Sequence, residues 1–124
     1  GSYVAGACNI GPAEIGRRRR SGWIGLVAAI GLAIVLVAIG APVWTRLLVV
    51  APLYVSAIGF IQARERFCVG FAAAGITNFE ALGTTHAIDD AEARAADRRH
   101  SRSLIVRSGV IAVIGAVVVA LLPV

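Results

Sequence analysis

Charged and aromatic side chains are scarce in this sequence. Of its 124 residues only 15% are charged and 6% aromatic, lysine and methionine are absent, and all twelve cations are arginine. Soluble domains usually carry about 25% charged residues. The charges that are present are clustered, which leaves three long apolar stretches. A soluble chain of this size buries only about two-thirds of its unfolded surface, so the composition predicts a membrane protein.

Motifs for catalysis are also missing. The sequence contains no GxSxG, HExxH or phosphate-loop motif, and the run at residues 70–75 lacks the lysine that a phosphate loop needs. The predicted spans contain no Asp, Glu, Lys or His, although proton relays and ion-coupled transporters generally need such groups. We therefore expect a non-enzymatic protein with no cofactor.

Three apolar stretches predict an all-α membrane protein with three transmembrane helices. A stretch of this length rises about 28 Å as a helix, close to the ~30 Å hydrocarbon core. The spans are predicted at residues 22–40, 44–61 and 104–122. The connection between the first two is so short that they should form a tight hairpin. Pro52 lies inside the second span and predicts a kink.

The rest of the single domain, residues 1–124, is expected on one side of the membrane. It comprises an N-terminal segment at residues 1–21 and a loop and helix at residues 62–103. Residues 67–87 have no long apolar run, so an interfacial loop or a re-entrant turn is predicted there. Residues 88–103 begin with acids and end with arginines, as suits a helix dipole. They predict an amphipathic helix that continues into the third span and projects into the cytoplasm.

The arginines predict the orientation. Eleven of the twelve fall on the side of the N-terminus, and only Arg46 falls on the other. Cytoplasmic loops carry the excess of Lys and Arg, so the N-terminus should be cytoplasmic and Val124 outside. Arginine, alanine and glycine usage is typical of a GC-rich bacterial gene, so the bacterial inner membrane is the expected location. The excess of arginine on the cytoplasmic side also accounts for the net positive charge, so nucleic acid is not an expected partner.

Three sets of residues are candidates for sites. Cys8, Cys68, His86 and His100 share the cytoplasmic side and are of the types that bind zinc, although their spacing fits no zinc finger. Arg17, Arg18, Arg19 and Arg20 are expected to contact anionic lipid headgroups. Small residues at a spacing of four predict faces for helix packing, within one chain or between chains; these are Ser21, Gly25, Ala29 and Ala33 in the first span and Ser108, Ala112, Ala116 and Ala120 in the third.

Residues 8–75 resemble a known membrane family. Asn9-Ile10-Gly11, the arginine run, Gly22 and the apolar hairpin ending at Ile58-Gly59-Phe60 are similar to an uncharacterised two-span family of the bacterial inner membrane, whose domain is sometimes fused to rhodanese sulfurtransferases. The resemblance implies a two-helix membrane unit and supplies no catalytic residues. Two departures are that these 124 residues contain no rhodanese domain and that a third helix follows. Family members often have a Cys directly after the Gly-Phe, whereas Cys68 comes eight residues after Phe60.

The sequence favours a structural or accessory subunit over other functions. Its expected partners are the lipid bilayer and other membrane subunits or further copies of itself. The alternative is a thiol, metal or sulfur-handling protein of the cytoplasmic face that uses Cys8 and Cys68.

Overall fold

The computed structural model describes residues 2–124, most of which are helical. Three helices are long and apolar enough to cross a membrane, which confirms the prediction of three such helices. They are α1, the unit formed by a 3₁₀ helix and α2, and α4. In chain order the elements are α1 (Pro12–Ala38), the 3₁₀ helix (Val43–Val49), α2 (Val50–Glu65), α3 (Val69–Ala74), β1 (Ile76–Thr77), β2 (His86–Ala87) and α4 (Ala91–Leu121).

Helix α1 begins ten residues before the predicted span. Pro12 occupies its first turn, where the missing N–H costs nothing because that group would have no intrahelical partner. The arginine run therefore lies on the same helix as the apolar stretch, and only hydropathy changes at Gly22. A span predicted from hydropathy marks the apolar part of such a helix and not its beginning.

Pro52 lies in the first turn of α2. The chain is a 3₁₀ helix as far as Val49 and becomes α-helical at Val50. Proline is tolerated in the first turn of an α-helix, so the change of helix type accommodates a residue that would otherwise interrupt the middle of a span.

Glycine lets α1 and α2 approach at the level of their backbones. A Cβ on Gly25 would lie 2.6 Å from the backbone N of Ser56, and one on Gly59 would lie 2.7 Å from the backbone N of Gly22. Gly22 on α1 lies against Gly59 on α2, and Gly25 lies against Ser56, so the two helices are antiparallel. Close backbone approach at small residues is the main source of helix association in lipid, where the hydrophobic effect between helices is absent.

The three long helices lie in one layer with α2 in the middle. Helices α1 and α4 each pack along α2 and barely contact each other. We use the term arginine-rich end for the end of this layer formed by residues 2–21 and 62–103. At this end Phe67, Ala72 and Leu104 form a small buried cluster that joins α3 to α4.

The part of α4 predicted to project into the cytoplasm as an amphipathic helix packs along one face against the rest of the chain. One face of this part of α4 is buried by other parts of the chain: Ala93, Asp97 and Ser101 are buried there. The N-terminal segment supplies one contact, because Gly6 lies against Ala96. The sequence showed an acidic start and a basic end but gave no sign that another segment covers this face.

Arg46 closes the opposite end of the layer. Its side chain is buried and donates hydrogen bonds to the carbonyl oxygens of Val119, Leu122 and Val124, with the first two at 3.3 and 3.0 Å. These carbonyl groups belong to the last turn of α4 and to the residues after it, where no N–H of the same helix is available to bind them. The only arginine predicted for this side thus ties the 3₁₀ helix to α4.

We expect Gly25→Ala to weaken the fold and Gly31→Ala to leave it intact. The new methyl group at residue 25 would meet backbone of α2, whereas a Cβ at residue 31 has open space around it. Overpacking of this kind costs about 1–3 kcal/mol. Unfolding of both variants in detergent by a denaturant series measures the difference. Equal stability of the two variants would show that the α1–α2 contact is not close.

Candidate functional site

Two asparagines join separate parts of the chain at the arginine-rich end. The Asn9 side chain accepts a hydrogen bond from the backbone N of Cys68 at 2.7 Å and donates one to its carbonyl oxygen at 3.1 Å. The backbone N of Asn9 donates to Arg66 O, and Asn78 N donates to Asn9 O. Both asparagines are fully buried. Cys8 and Cys68 are therefore held at the same junction, one on either side of Asn9.

A buried carboxylate and an arginine occupy the next turn of the site. Glu14, which is 1% exposed, forms an ion pair with Arg18 one helical turn later and lies 3.4 Å from the Asn78 amide nitrogen. Arg18 also donates from Nη2 to Cys68 Sγ at 2.7 Å, and its guanidinium lies over the ring of Phe71. A single arginine thus connects α1 to Cys68 and α3, in a geometry that adds a cation–π contact to the charge pair.

The two thiols differ in access. Cys68 is buried, and its Sγ also accepts a 3.5 Å hydrogen bond from Phe71 N as the cap of α3. Cys8 is half-buried and lines an open cleft of about 300 Å³ together with Arg19 and Arg66. The Cys68 sulfur therefore contacts a guanidinium, whereas Cys8 borders an open cleft whose lining includes two arginines.

The structure does not assemble the predicted zinc ligands. Within residues 2–124 no three His, Cys, Asp or Glu side chains are close enough to hold a metal ion. His86 is exposed and lies 3.7 Å from Glu80. His100 stacks edge-on against Phe67 and has its Nε2 3.1 Å from Glu65. The two histidines have separate carboxylate neighbours, so they do not complete a site with the cysteines.

The arginine run divides into inward and outward members. Arg17, Arg19 and Arg20 are exposed, while Arg18 turns inward to Glu14 and Cys68. Three of the four predicted headgroup contacts therefore have exposed side chains. Arg18 has another use, because a buried carboxylate one turn earlier requires a partner.

Small residues of both predicted faces are used inside the chain. Ser108 is fully buried, and its Oγ has no hydrogen-bond partner among the described residues. Because burial arises from this chain alone, these residues face α2 and its neighbours. Gly25, Ala29, Ser108, Ala112 and Ala116 are buried, whereas Ser21, Ala33 and Ala120 are half-buried.

An apolar groove remains on one face of the layer. Because α1 and α4 do not close over α2, the groove has α2 as its floor and the other two helices as its walls. It consists of two adjoining clefts of about 180 and 370 Å³. Their lining includes Leu26, Ala29, Ala33, Leu53, Ala57, Ile111 and Val119.

A second buried acid, Asp97, holds the N-terminal segment to α4. Asp97 is fully buried and accepts hydrogen bonds from the Tyr3 hydroxyl at 2.8 Å and the Gly6 N–H at 2.7 Å. Burial, with the Asp97 hydrogen bond adding to it, raises the pKa of the Tyr3 phenol well above its usual range. Tyr3 therefore stays a protonated donor at every physiological pH.

Sequence reasoning missed most of this polar network. Glu14 and Asp97 belong to no catalytic or binding motif in the sequence. Asn9 entered only through the short motif of the family resemblance, and Asn78 through none, since an isolated Asn in a polar segment usually lies in a turn. The only usable signal was the i, i+4 spacing of Glu14 and Arg18, which permits a pair on one helix face.

Comparison with protein-family models, with curated proteins and with solved structures gives no match to this chain. The resemblance of residues 8–75 to the two-span family therefore stays a prediction from short motifs.

We expect Arg18→Gln to destabilise the protein far more than Arg20→Gln. Removing one partner of a buried pair leaves the other charge uncompensated, at a cost of about 3–5 kcal/mol. Arg20 is exposed in the same run and serves as the control. The free energy of unfolding in detergent measures both. Replacing the pair together, with Glu14→Gln and Arg18→Met, should restore part of the loss; no difference between Arg18→Gln and Arg20→Gln would contradict the pairing.

Proposed function

We propose that this protein is a non-enzymatic subunit of a larger membrane assembly, in which a transmembrane helix from another subunit or a second copy occupies the apolar groove. The observation that carries the proposal is the one-layer arrangement of the long helices. A three-helix bundle could close around its own small residues, whereas this layer leaves the α1–α2–α4 groove uncovered.

The lining of the groove supports a helix as its occupant. Ala29 and Ala33 lie on one wall and Ala57 on the floor, so small side chains allow a further backbone to approach. The two clefts of the groove expose almost no polar surface, which suits an apolar helix better than a charged ligand. The exposed side chains along α1 and α4 are also apolar, as expected for surfaces against lipid or partner subunits.

The assembly is proposed for a bacterial inner membrane. The ten arginines of the arginine-rich end, with Arg107 one turn beyond it, favour a cytoplasmic position for that end, with the N-terminus inside and Val124 outside. The hairpin of the first two spans and the extension of the third span into the cytoplasm belong to the same proposal.

We expect Ala33→Trp to dissociate the assembly and Val35→Trp to preserve it. The indole at residue 33 would fill the groove, whereas Val35 is exposed on α1 and does not line it. Subunit stoichiometry of the wild type and both variants, from native mass spectrometry in mild detergent and from photobleaching in bilayers, measures the effect.

Two results would overturn this proposal. One is a wild-type protein that remains a lone monomer in both bilayers and mild detergent. The other is an assembly that survives Ala33→Trp while Val35→Trp disrupts it, since the contact would then lie outside the groove.

A second candidate function uses the two thiols. Arg18 holds Cys68 from one side while Cys8 borders an open cleft beside Arg19 and Arg66. Reactive cysteines are found beside cations in partly accessible sites, which favours Cys8 as the accessible thiol and Cys68 as its buried neighbour. This candidate is a cytoplasmic-face thiol or sulfur-handling protein that uses Cys8 and Cys68.

Labelling tests the thiol candidate and the orientation together. With Cys68→Ser, a membrane-impermeant maleimide should label Cys8 in inverted vesicles and not in intact cells. With Cys8→Ser, Cys68 should be labelled only after denaturation. Diamide, which takes two hydrogens from a thiol pair, should convert Cys8 and Cys68 of the wild type to a disulfide visible by mass spectrometry. Two free thiols after this treatment would eliminate the candidate, and labelling from outside would reverse the orientation.

A further inference from the structure

A second cleft lies on the face of α2 opposite the apolar groove, at the arginine-rich end. It has a volume of about 360 Å³ and is bounded by Arg17 and Ser21 of α1 and by residues of α2. The α2 lining includes Tyr54, Ile58 and Gln62. It is separate from the apolar groove, since the residues of α2 that line the two belong to opposite faces of the helix.

The glycine contact between α1 and α2 shapes this cleft. Gly59 lines it and has no side chain, while its backbone lies against Gly22 and the Arg18 carbonyl. The two helices are therefore drawn together behind the cleft, and the longer side chains on either side form its walls. A depression of this kind is a property of the fold and not of loosely placed surface side chains.

The cleft changes from polar to apolar along the helix axis. Arg17 and Gln62 lie at its outer end, and Val55 and Ile58 lie deeper in the span. From Gln62 to Val55 the α2 axis covers about 10 Å at ~1.5 Å per residue. This distance corresponds to a headgroup followed by the first carbons of an acyl chain.

The positive charge of Arg17 favours a negatively charged ligand. The Arg18 guanidinium is already paired with Glu14, whereas Arg17 is exposed and forms no salt bridge among residues 2–124. An arginine without a carboxylate partner, with amide and hydroxyl groups nearby, suits a phosphodiester oxygen. Val55 and Ile58, deeper in the span, would accept a hydrocarbon chain, which a free inorganic anion does not have.

We propose that this cleft binds one anionic phospholipid, with its phosphate at Arg17 and its acyl chain along Val55 and Ile58. The site differs from general attraction between an arginine run and a charged membrane surface, because only Arg17 among the exposed members of the run, Arg17, Arg19 and Arg20, lines the cleft. It is also independent of the apolar groove and of the thiols.

Native mass spectrometry of the full chain in detergent, titrated with phosphatidylglycerol or phosphatidylcholine, tests the proposal. The wild type should retain one phosphatidylglycerol molecule in preference to phosphatidylcholine. Arg17→Gln should lower this affinity about tenfold, as expected for the loss of one charge-assisted hydrogen bond. Arg20→Gln, which removes the same charge from an exposed side chain that does not line the cleft, should leave it unchanged.

Two further arms separate a lipid from a free phosphate. Ile58→Trp should fill the deeper end and reduce phosphatidylglycerol retention, and millimolar inorganic phosphate should not displace the lipid from the wild type. Equal losses from Arg17→Gln and Arg20→Gln would overturn the proposal in favour of diffuse surface charge. Displacement by phosphate together with no effect of Ile58→Trp would overturn it in favour of a plain anion site.

Discussion

The arginine-rich end of this protein depends on the buried pair of Glu14 and Arg18. A carboxylate that is 1% exposed is costly without a counter-charge, so Arg18 has to turn inward from the exposed run. Once there, it reaches Cys68 and Phe71 and brings α3 against α1. Asn9 and Asn78 then complete the junction through backbone groups that would otherwise be buried without partners. A short, irregular region thus acquires one defined conformation.

The membrane part depends on a different constraint, which is packing without a hydrophobic driving force. Glycines at the α1–α2 contact bring the two backbones together, and Arg46 secures α4 by binding the carbonyls at its end. Both devices act through α2 and the 3₁₀ helix before it. That arrangement explains why α1 and α4 need not meet, and why the layer has two open faces. One face has the apolar groove and the other has the cleft that includes Arg17.

The features that sequence reasoning predicted well were those governed by local hydropathy and length. Three apolar stretches predicted three long helices. Features that depend on distant partners were not visible in the sequence. An amphipathic helix was predicted at residues 88–103, but nothing indicated that Asp97 is covered by Tyr3 and Gly6. Cys8, Cys68, His86 and His100 were candidates by residue type alone, and the histidines lie against Glu80 and Glu65.

The sequence by itself determined that this chain forms three long apolar helices, because a backbone in lipid must satisfy its own hydrogen bonds and only a helix does so within one segment. The sequence also determined that arginine is concentrated on one side of the three spans, because the positions of the arginines can be counted directly. Only the tertiary structure decided which of four adjacent arginines turns inward, which small residues face α2, and which faces of α2 stay open. Those outcomes depend on the angular position of each side chain relative to distant segments, 94 residues away in the case of Tyr3 and Asp97, and no local pattern encodes that relation.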